Sequence, residues 1–268
     1  MCRRSQRVVG LFGVRVWDDA TGVPVIHARN MLEKSWVIDV LIPAWNEEGS
    51  LPFVLQAIPQ GWVRKVVVCD NGSTDRTAAV AKEHGAVVVT QNARGYGNAC
   101  LAGMDYLRVL PADEQPDIVV FLDGDYSDYP EELPLVVGPI MKDRIDLVIG
   151  SRVKGNMEKG AMTIPQRFGN WLAPFLIRIF FGYEFTDLGP FRAIRWDKLG
   201  ALGMEDQSYG WTVEMQVKAA KQRLACTEVP VRYRRRIRGK SKVSGTVRGA
   251  FSAGVVIVST IFKEVFRG

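Results

Sequence analysis

In Val119–Val120–Phe121–Leu122–Asp123–Gly124–Asp125 an apolar run ends in two carboxylates separated by one glycine. A strand sends alternate side chains to one face, so both acids can project the same way beyond its end. Paired oxygens of this kind suit a hard divalent cation. Mg²⁺ characteristically takes one or two carboxylates and fills its shell with substrate phosphates. The pair therefore points to a metal-bound diphosphate. Asp-Gly-Asp is also ordinary turn chemistry, so the pair needs support from the rest of the chain.

That support comes from the elements around it. From Val37 onward, short β-branched runs alternate with helical patterns. Val37–Ile42, Lys65–Cys69, Ala86–Thr90, Ile118–Leu122 and Asp146–Gly150 read as strands. Ser50–Ile58, Thr74–His84, Gly97–Leu110 and Glu131–Asp143 read as helices. The second of these has Ser73 or Thr74 as N-cap and Gly85 as its stop. The alternation predicts an α/β fold with a mostly parallel central sheet covered by helices. Ligands of such sheets bind beyond the carboxyl ends of the strands. The segments there are Pro43–Ala44–Trp45–Asn46–Glu47–Glu48, Asp70–Asn71–Gly72–Ser73–Thr74–Asp75, Gln91 to Gly97, and Asp123 to Asp128. All four fall on one edge and are rich in Asp, Asn, Glu and Gly. Such convergence is what a site requires, and turn chemistry alone does not account for it. Beyond Arg152 the pattern changes: a Gly-containing loop over Lys154–Thr163, an aromatic-rich helix over Pro165–Phe181, a strand or hairpin over Leu224–Tyr233, and a last helix over Gly245–Phe266.

At 268 residues the chain holds one large domain, or one domain with appendages. A composition 47% hydrophobic and 24% charged excludes wholesale disorder. No run reaches the ~18 apolar residues of a membrane span; the longest candidate is Ala250 to Phe262. Residues 1–36 are irregular. Arg7 and Arg15 interrupt their apolar stretch and no cleavage site follows, which excludes a convincing signal peptide. A frayed tail, a start assigned too early and a functional arm all stay open. Cys2, Cys69, Cys100 and Cys226 are scattered without metal-ligand spacing, and read as reduced thiols of a cytosolic protein. Charge is unevenly placed. From Lys221 to Arg248 ten basic residues face one acid, Glu228, a net +9 (10 − 1) in a chain of net +6. Such a block suits nucleic acid, anionic lipid or phosphorylated substrates. Nucleic acid would leave the acidic strand ends unexplained, because acidic clusters repel phosphate. No nucleic-acid partner is expected.

The three segments Pro43–Ala44–Trp45–Asn46–Glu47–Glu48, Asp70–Asn71–Gly72–Ser73–Thr74–Asp75 and Asp123–Gly124–Asp125, in this order and spacing, resemble the inverting family-2 glycosyltransferases with the GT-A fold. The nearest branch is that of dolichol-phosphate mannose synthase and related polyprenyl-phosphate glycosyltransferases. The resemblance implies a nucleotide-diphospho-sugar transferase (GT-A, Rossmann-like) domain over residues 37–240. An extension over 1–36 would precede it and a C-terminal amphipathic helix over 241–268 would follow. It implies metal-dependent transfer of a hexose from a UDP- or GDP-sugar to a polyprenyl or dolichyl phosphate, with Mg²⁺ or Mn²⁺ as cofactor. Asp125 would ligate the metal, and Asp123 would touch the metal or the ribose. Ser127 or Asp128 could add a ligand. Pro43, Ala44, Asn46 and Glu47 would meet the nucleotide, Glu47 beside the ribose. Asp70 would accept a hydrogen bond from the base, Gly72 would allow close backbone approach, and Arg94, Gly95 and Gly97 would form a closing loop. The plainer alternatives are a favourable helix-start charge for Glu47, a strand-end cap for Asp70 and a solvated loop arginine for Arg94.

Two downstream acids compete for the reaction centre: Asp187, in Thr186–Asp187–Leu188–Gly189–Pro190–Phe191–Arg192, and Glu214, in Tyr209–Gly210–Trp211–Thr212–Val213–Glu214. Glu214 could instead form an i,i+4 pair with Lys218 on an exposed helix face. A hydroxyl acceptor needs a carboxylate base. A lipid phosphate, with a second pKa of about 6, is already largely an anion at neutral pH and needs cations. The Gly239–Lys240–Ser241–Lys242 run is similar to the basic loop of the lipid-phosphate branch. Arg192, Arg238, Lys240 and Lys242 would then hold the acceptor phosphate. Ala250–Phe262, flanked by Arg248 and Lys263, reads as a helix lying at a membrane surface, or as one packed on the core or a partner chain. The expected location is cytoplasmic, with peripheral contact at the cytoplasmic membrane face. Phe168, Trp171, Phe175, Phe180 and Phe181 could line an acceptor groove or join two copies, so a homo-oligomer stays open. Two other functions remain: the same donor chemistry on a hydroxyl acceptor, and a nucleotide-sugar-binding module without turnover.

Overall fold

The computed structural model describes residues 15–17, 24–26, 35–238 and 247–267, with side chains over 35–238 and 254–267. It divides into two units, Met1–Ser35 and Trp36–Gly268. In the first, β1 (Arg15–Trp17) pairs antiparallel with β2 (Pro24–Ile26). Apart from Ser35 and Trp36, the remainder of the expected extension lies outside the described residues.

The second unit is built on seven strands: β3 (Ile38–Ala44), β4 (Lys65–Asp70), β5 (Val87–Thr90), β6 (Ile118–Phe121), β7 (Leu147–Ser151), β8 (Arg192–Arg195) and β9 (Cys226–Pro230). Their order across the sheet is β5-β4-β3-β6-β8-β7-β9. β3 to β6 run parallel, β8 runs antiparallel between β6 and β7, and β9 is parallel to β7. The mostly parallel sheet is as the alternation predicts. β3 extends two residues past the expected end, because Pro43 and Ala44 still pair with Cys69 and Asp70.

Period-2 alternation splits the core between the two sheet faces. Val40, Ile42, Val68, Val120 and Leu122 point to one face, which α1 (Leu51–Ala57), α2 (Thr77–Glu83) and α4 (Leu133–Asp143) cover. Leu41, Val67, Cys69, Val119 and Phe121 point to the other. That face is covered by α3 (Tyr96–Arg108), α5 (Ile164–Phe181), α6 (Trp196–Leu202), α7 (Trp211–Lys221) and α8 (Val247–Phe266). Both faces are buried, which is why the strands read as nearly continuous apolar runs.

Two departures from the sequence reading have local causes. α2 begins at Thr77 and not at Thr74, because the expected caps are engaged elsewhere. Ser73 Oγ accepts from Asn46 N (2.9 Å), and Thr74 N donates to Asn46 Oδ1 (2.8 Å). α5 begins with a capping box between Thr163 and Gln166. Among the described residues, no helix is long and apolar enough to cross a membrane.

Candidate active site

The carboxyl ends of β3, β4, β6 and β7 open onto one cleft of about 480 Å³. β3 contributes Pro43 and Ala44, with Trp45 and Glu47 just beyond; Asn71 follows β4, Asp123 and Asp125 follow β6, and Arg152 follows β7. Arg94, Gly95 and Tyr96 enter from the start of α3. The facing wall is more apolar, with Met162, Pro165 and Gly169 at the start of α5, Leu188, Tyr209, and Ile257 of α8.

The acids sit at the floor. Asp123 Oδ1 accepts from the Tyr96 hydroxyl at 3.1 Å. Burial, and then the neighbouring Asp125, push the Asp123 carboxyl up to about 7, against the pull of Tyr96, Arg236 and Arg152. Asp125 Oδ1 accepts from Ser127 N (2.9 Å), and its Oδ2 from Arg236 Nε (3.2 Å) and Nη2 (3.0 Å). The same Nη2 lies 3.0 Å from Glu47 Oε1. One guanidinium therefore joins the acids that follow β3 and β6. These residues fit a divalent ion: the two aspartates are crowded and a cation already spans Asp125 and Glu47. Among the described residues, no group of three or more His, Cys, Asp or Glu could hold a metal alone. The fit is thus to an ion that brings phosphate oxygens as further ligands. Ser127 and Asp128 do not line the cleft. The buried Asp128 carboxyl has no hydrogen-bond partner, and burial followed by Asp123 raises its pKa well above the ordinary range.

The wall beside the acids is preorganised. The Arg94 guanidinium stacks 4.2 Å over the Trp45 ring and donates to the Asn71 carbonyl at 2.8 Å. Asn71 in turn accepts from Gly95 N (2.8 Å) and donates to the carbonyls of Gln91 and Ala93. Of the residues expected on the donor side, Pro43, Ala44, Glu47, Arg94 and Asp123 face the cleft. Asn46, Asp70, Gly72 and Gly97 lie behind it. Asn46 ties the β3 end to Ser73 and Thr74, and Asp70 accepts from Ser73 N at 3.2 Å. Gly72 turns the chain at φ +66°, and Gly97 lies against the Asp206 carbonyl.

Three expectations need correction. Asp187 does not stand free as a base. Its carboxylate is buried, gripped by Arg152 Nη2 (2.6 Å), Arg152 Nε (3.0 Å) and Arg152 N (2.6 Å). Glu214 is buried away from the cleft. It pairs with Lys218 at 2.7 Å, in the interior and not on an exposed face, and accepts from the amides of Glu205 and Asp206. Arg192 is wholly buried and gives its guanidinium to the carbonyls of Leu188, Gly189 and Thr212. Burial lowers its pKa to about 10, and it does not reach the cleft. Arg238 is exposed beside Gly49. Lys240 and Lys242 lie outside the described residues.

The cleft also holds residues that the sequence reading passed over: Tyr96, Arg152 and Tyr233. Arg152 was findable. The strand-end rule, applied to the fifth strand, points straight to it. Burial opposes its charge, but Asp187 outweighs this and raises its pKa, while the Tyr233 ring lies 4.9 Å away. Tyr96 and Tyr233 carry no motif. Arg236 was one of several arginines in a basic run, with nothing to single it out.

The model of glycosyl transferase family 2 matches residues 39–200. The chain belongs to this family. It is similar to an uncharacterized glycosyltransferase of Mycobacterium tuberculosis, with 38% identity over 81% of this chain and 94% of that protein. It is also similar to the undecaprenyl-phosphate mannosyltransferase of Micrococcus luteus, with 30% identity over 78% of this chain and 88% of that protein. Among solved structures, glucosyl-3-phosphoglycerate synthase of M. tuberculosis, in complex with Mn²⁺, UDP and glucosyl-3-phosphoglycerate, matches with a TM-score of 0.66. That match has 23% identity and covers 86% of this chain and 80% of that one. The fold is GT-A, and this family-2 chain is a glycosyltransferase.

Proposed function

We propose that this family-2 glycosyltransferase passes a hexose, with inversion, from a nucleoside diphosphate sugar to a polyprenyl phosphate at a membrane surface. One observation carries the choice of acceptor. Among the described residues the cleft carboxylates are Glu47, Asp123 and Asp125, all on the acidic floor, and none stands on the apolar wall. A hydroxyl acceptor would need a base there. A phosphate acceptor needs a cation, and Arg152 stands at the junction of the two sides. The Micrococcus relative, named as an undecaprenyl-phosphate mannosyltransferase, supports the same class.

In this reading the nucleotide lies along Pro43–Glu47, Asn71 and Arg94, and Asp123 and Asp125 would hold the divalent ion. Bound there, the ion supplies positive charge to the departing diphosphate. Arg152, kept charged by Asp187, orients the acceptor phosphate. An oxygen of that phosphate bonds to the anomeric carbon as the bond to the nucleoside diphosphate breaks on the opposite side. Arg236, which bonds Asp125 and Glu47 here, would be available to the departing diphosphate if an ion were held on Asp125. The apolar wall excludes water, which would otherwise hydrolyse the donor. The same α5 that forms the wall carries Phe168, Trp171, Phe175 and Ile179 exposed, a face suited to lipid.

The test is release of nucleoside diphosphate from UDP- and GDP-hexoses with Mn²⁺ or Mg²⁺. Release that depends on polyprenyl phosphate supports the proposal. Release with a soluble hydroxyl acceptor assigns the other acceptor class, and binding without release leaves a sugar-nucleotide-binding module.

A further inference from the structure

Glu214 makes no contact with the cleft, yet its carboxylate is fully engaged. Oε1 accepts from Glu205 N (2.9 Å) and pairs with Lys218, while Oε2 accepts from Asp206 N (2.8 Å). These bonds fix the near side of the loop Glu205–Ser208. Asp206 Oδ1 tightens the loop by accepting from Ser208 N at 2.7 Å.

The far side of the loop lies on the first turn of α3. Gly97 N donates to the Ser208 carbonyl and Asn98 N to the Gln207 carbonyl, each at 3.1 Å. A helix leaves its first amides without partners inside itself, and no side chain caps α3. The loop is the cap. Two glycines make the approach possible. A Cβ at Gly95 would stand 1.9 Å from the Gln207 carbonyl oxygen, and one at Gly97 would stand 1.9 Å from that of Asp206. Between these glycines is Tyr96, whose hydroxyl reaches Asp123 Oδ1 at 3.1 Å.

We infer that Glu214 is a positioning residue for Asp123, acting through the Glu205–Ser208 loop, the first turn of α3 and the Tyr96 hydroxyl. The inference rests on the reading of Asp123 and Asp125 as the metal site. Without the Glu214 carboxylate the loop loses its anchor, the first turn of α3 loses its cap, and Tyr96 no longer holds one oxygen of Asp123. Partners that orient a ligating side chain typically contribute about 10–100-fold to metal affinity.

Mn²⁺ titration of the full chain, read from the paramagnetic resonance signal of free Mn²⁺ in the presence of a nucleoside diphosphate, tests this. The variants are Tyr96→Phe, Glu214→Gln and the double substitution. Each single change is expected to weaken Mn²⁺ binding about 10-fold or more. The double is expected to bind no worse than the weaker single, because both cut one path. Wild-type affinity in Glu214→Gln, or losses that multiply in the double, overturns the inference while leaving the metal site standing. A wild-type protein that takes up no Mn²⁺ overturns the metal-site reading itself. Gly97→Ala provides a second route if Glu214→Gln fails to fold. It pushes the loop off α3 without touching the Glu214–Lys218 pair, and the same weakening and non-additivity with Tyr96→Phe are expected. Thermal unfolding of each variant separates a purely structural role, which lowers the midpoint and leaves Mn²⁺ affinity intact.

Discussion

Asp125 and Asp187 are both acids near the cleft, but their bonding assigns them opposite parts. Asp125 meets Arg236 in the open cleft, so under the proposed function removing it takes away metal-binding charge and little that the fold needs. Asp125→Ala is expected to lower turnover by about 10²–10³ or more, with an unchanged circular dichroism spectrum. Asp187 is buried under Arg152. Asp187→Ala leaves that guanidinium uncompensated and is expected to cost about 3–5 kcal/mol, read by denaturant unfolding. Asp123 carries a pH signature. Its pKa of about 7 in the folded chain exceeds the ordinary value of ~3.9, so between these values the native state keeps a proton that the unfolded chain has lost. The stability of the metal-free protein is expected to fall as pH rises from about 4 to about 7. Unfolding curves in a chelator should show the slope in the wild type and a shallower one in Asp123→Asn, the remainder coming from Asp128, whose pKa burial also raises. The aspartate pair was legible because it ends an apolar run. Asp187 and Glu214 misled because their motif positions say nothing of burial, and both spend their charge on inward partners.

The strands that bear the acidic floor were legible as elements, since each is a compact β-branched run between polar turns. β8 was not. Arg192–Arg195 is four residues long, has arginine at both ends and enters antiparallel between two strands from other parts of the chain. Its place follows from pairing, which a local pattern does not carry. α5 was legible by its aromatic content, and its dual use is the more informative finding. Its first turn lines the cleft, and further along Trp171 stacks on Phe175 at 5.5 Å, both exposed. Exchanging Trp171 and Phe175 for serine is expected to reduce co-sedimentation with anionic phospholipid vesicles several-fold. Turnover on a short-chain, soluble polyprenyl phosphate should be little changed. Equal sedimentation of variant and wild type would detach this helix from the lipid.

The molecule divides its labour across one sheet edge. The acidic side comes from the ends of parallel strands, so the strand-end rule exposed it before any coordinates. The apolar side is assembled from Met162, Leu188, Tyr209 and Ile257, residues scattered over nearly a hundred positions without a shared motif, and only the folded chain brings them together. The central claim concerns the acidic floor, where Arg236 spans Glu47 and Asp125. A crystal structure with Mn²⁺ and a nucleoside diphosphate tests it most directly. The expected result is an anomalous manganese peak on Asp125 with diphosphate oxygens in its shell, and Arg236 moved off that carboxylate. A nucleotide bound elsewhere, with no manganese at Asp123 or Asp125 and Arg236 still bridging the two acids, would contradict it.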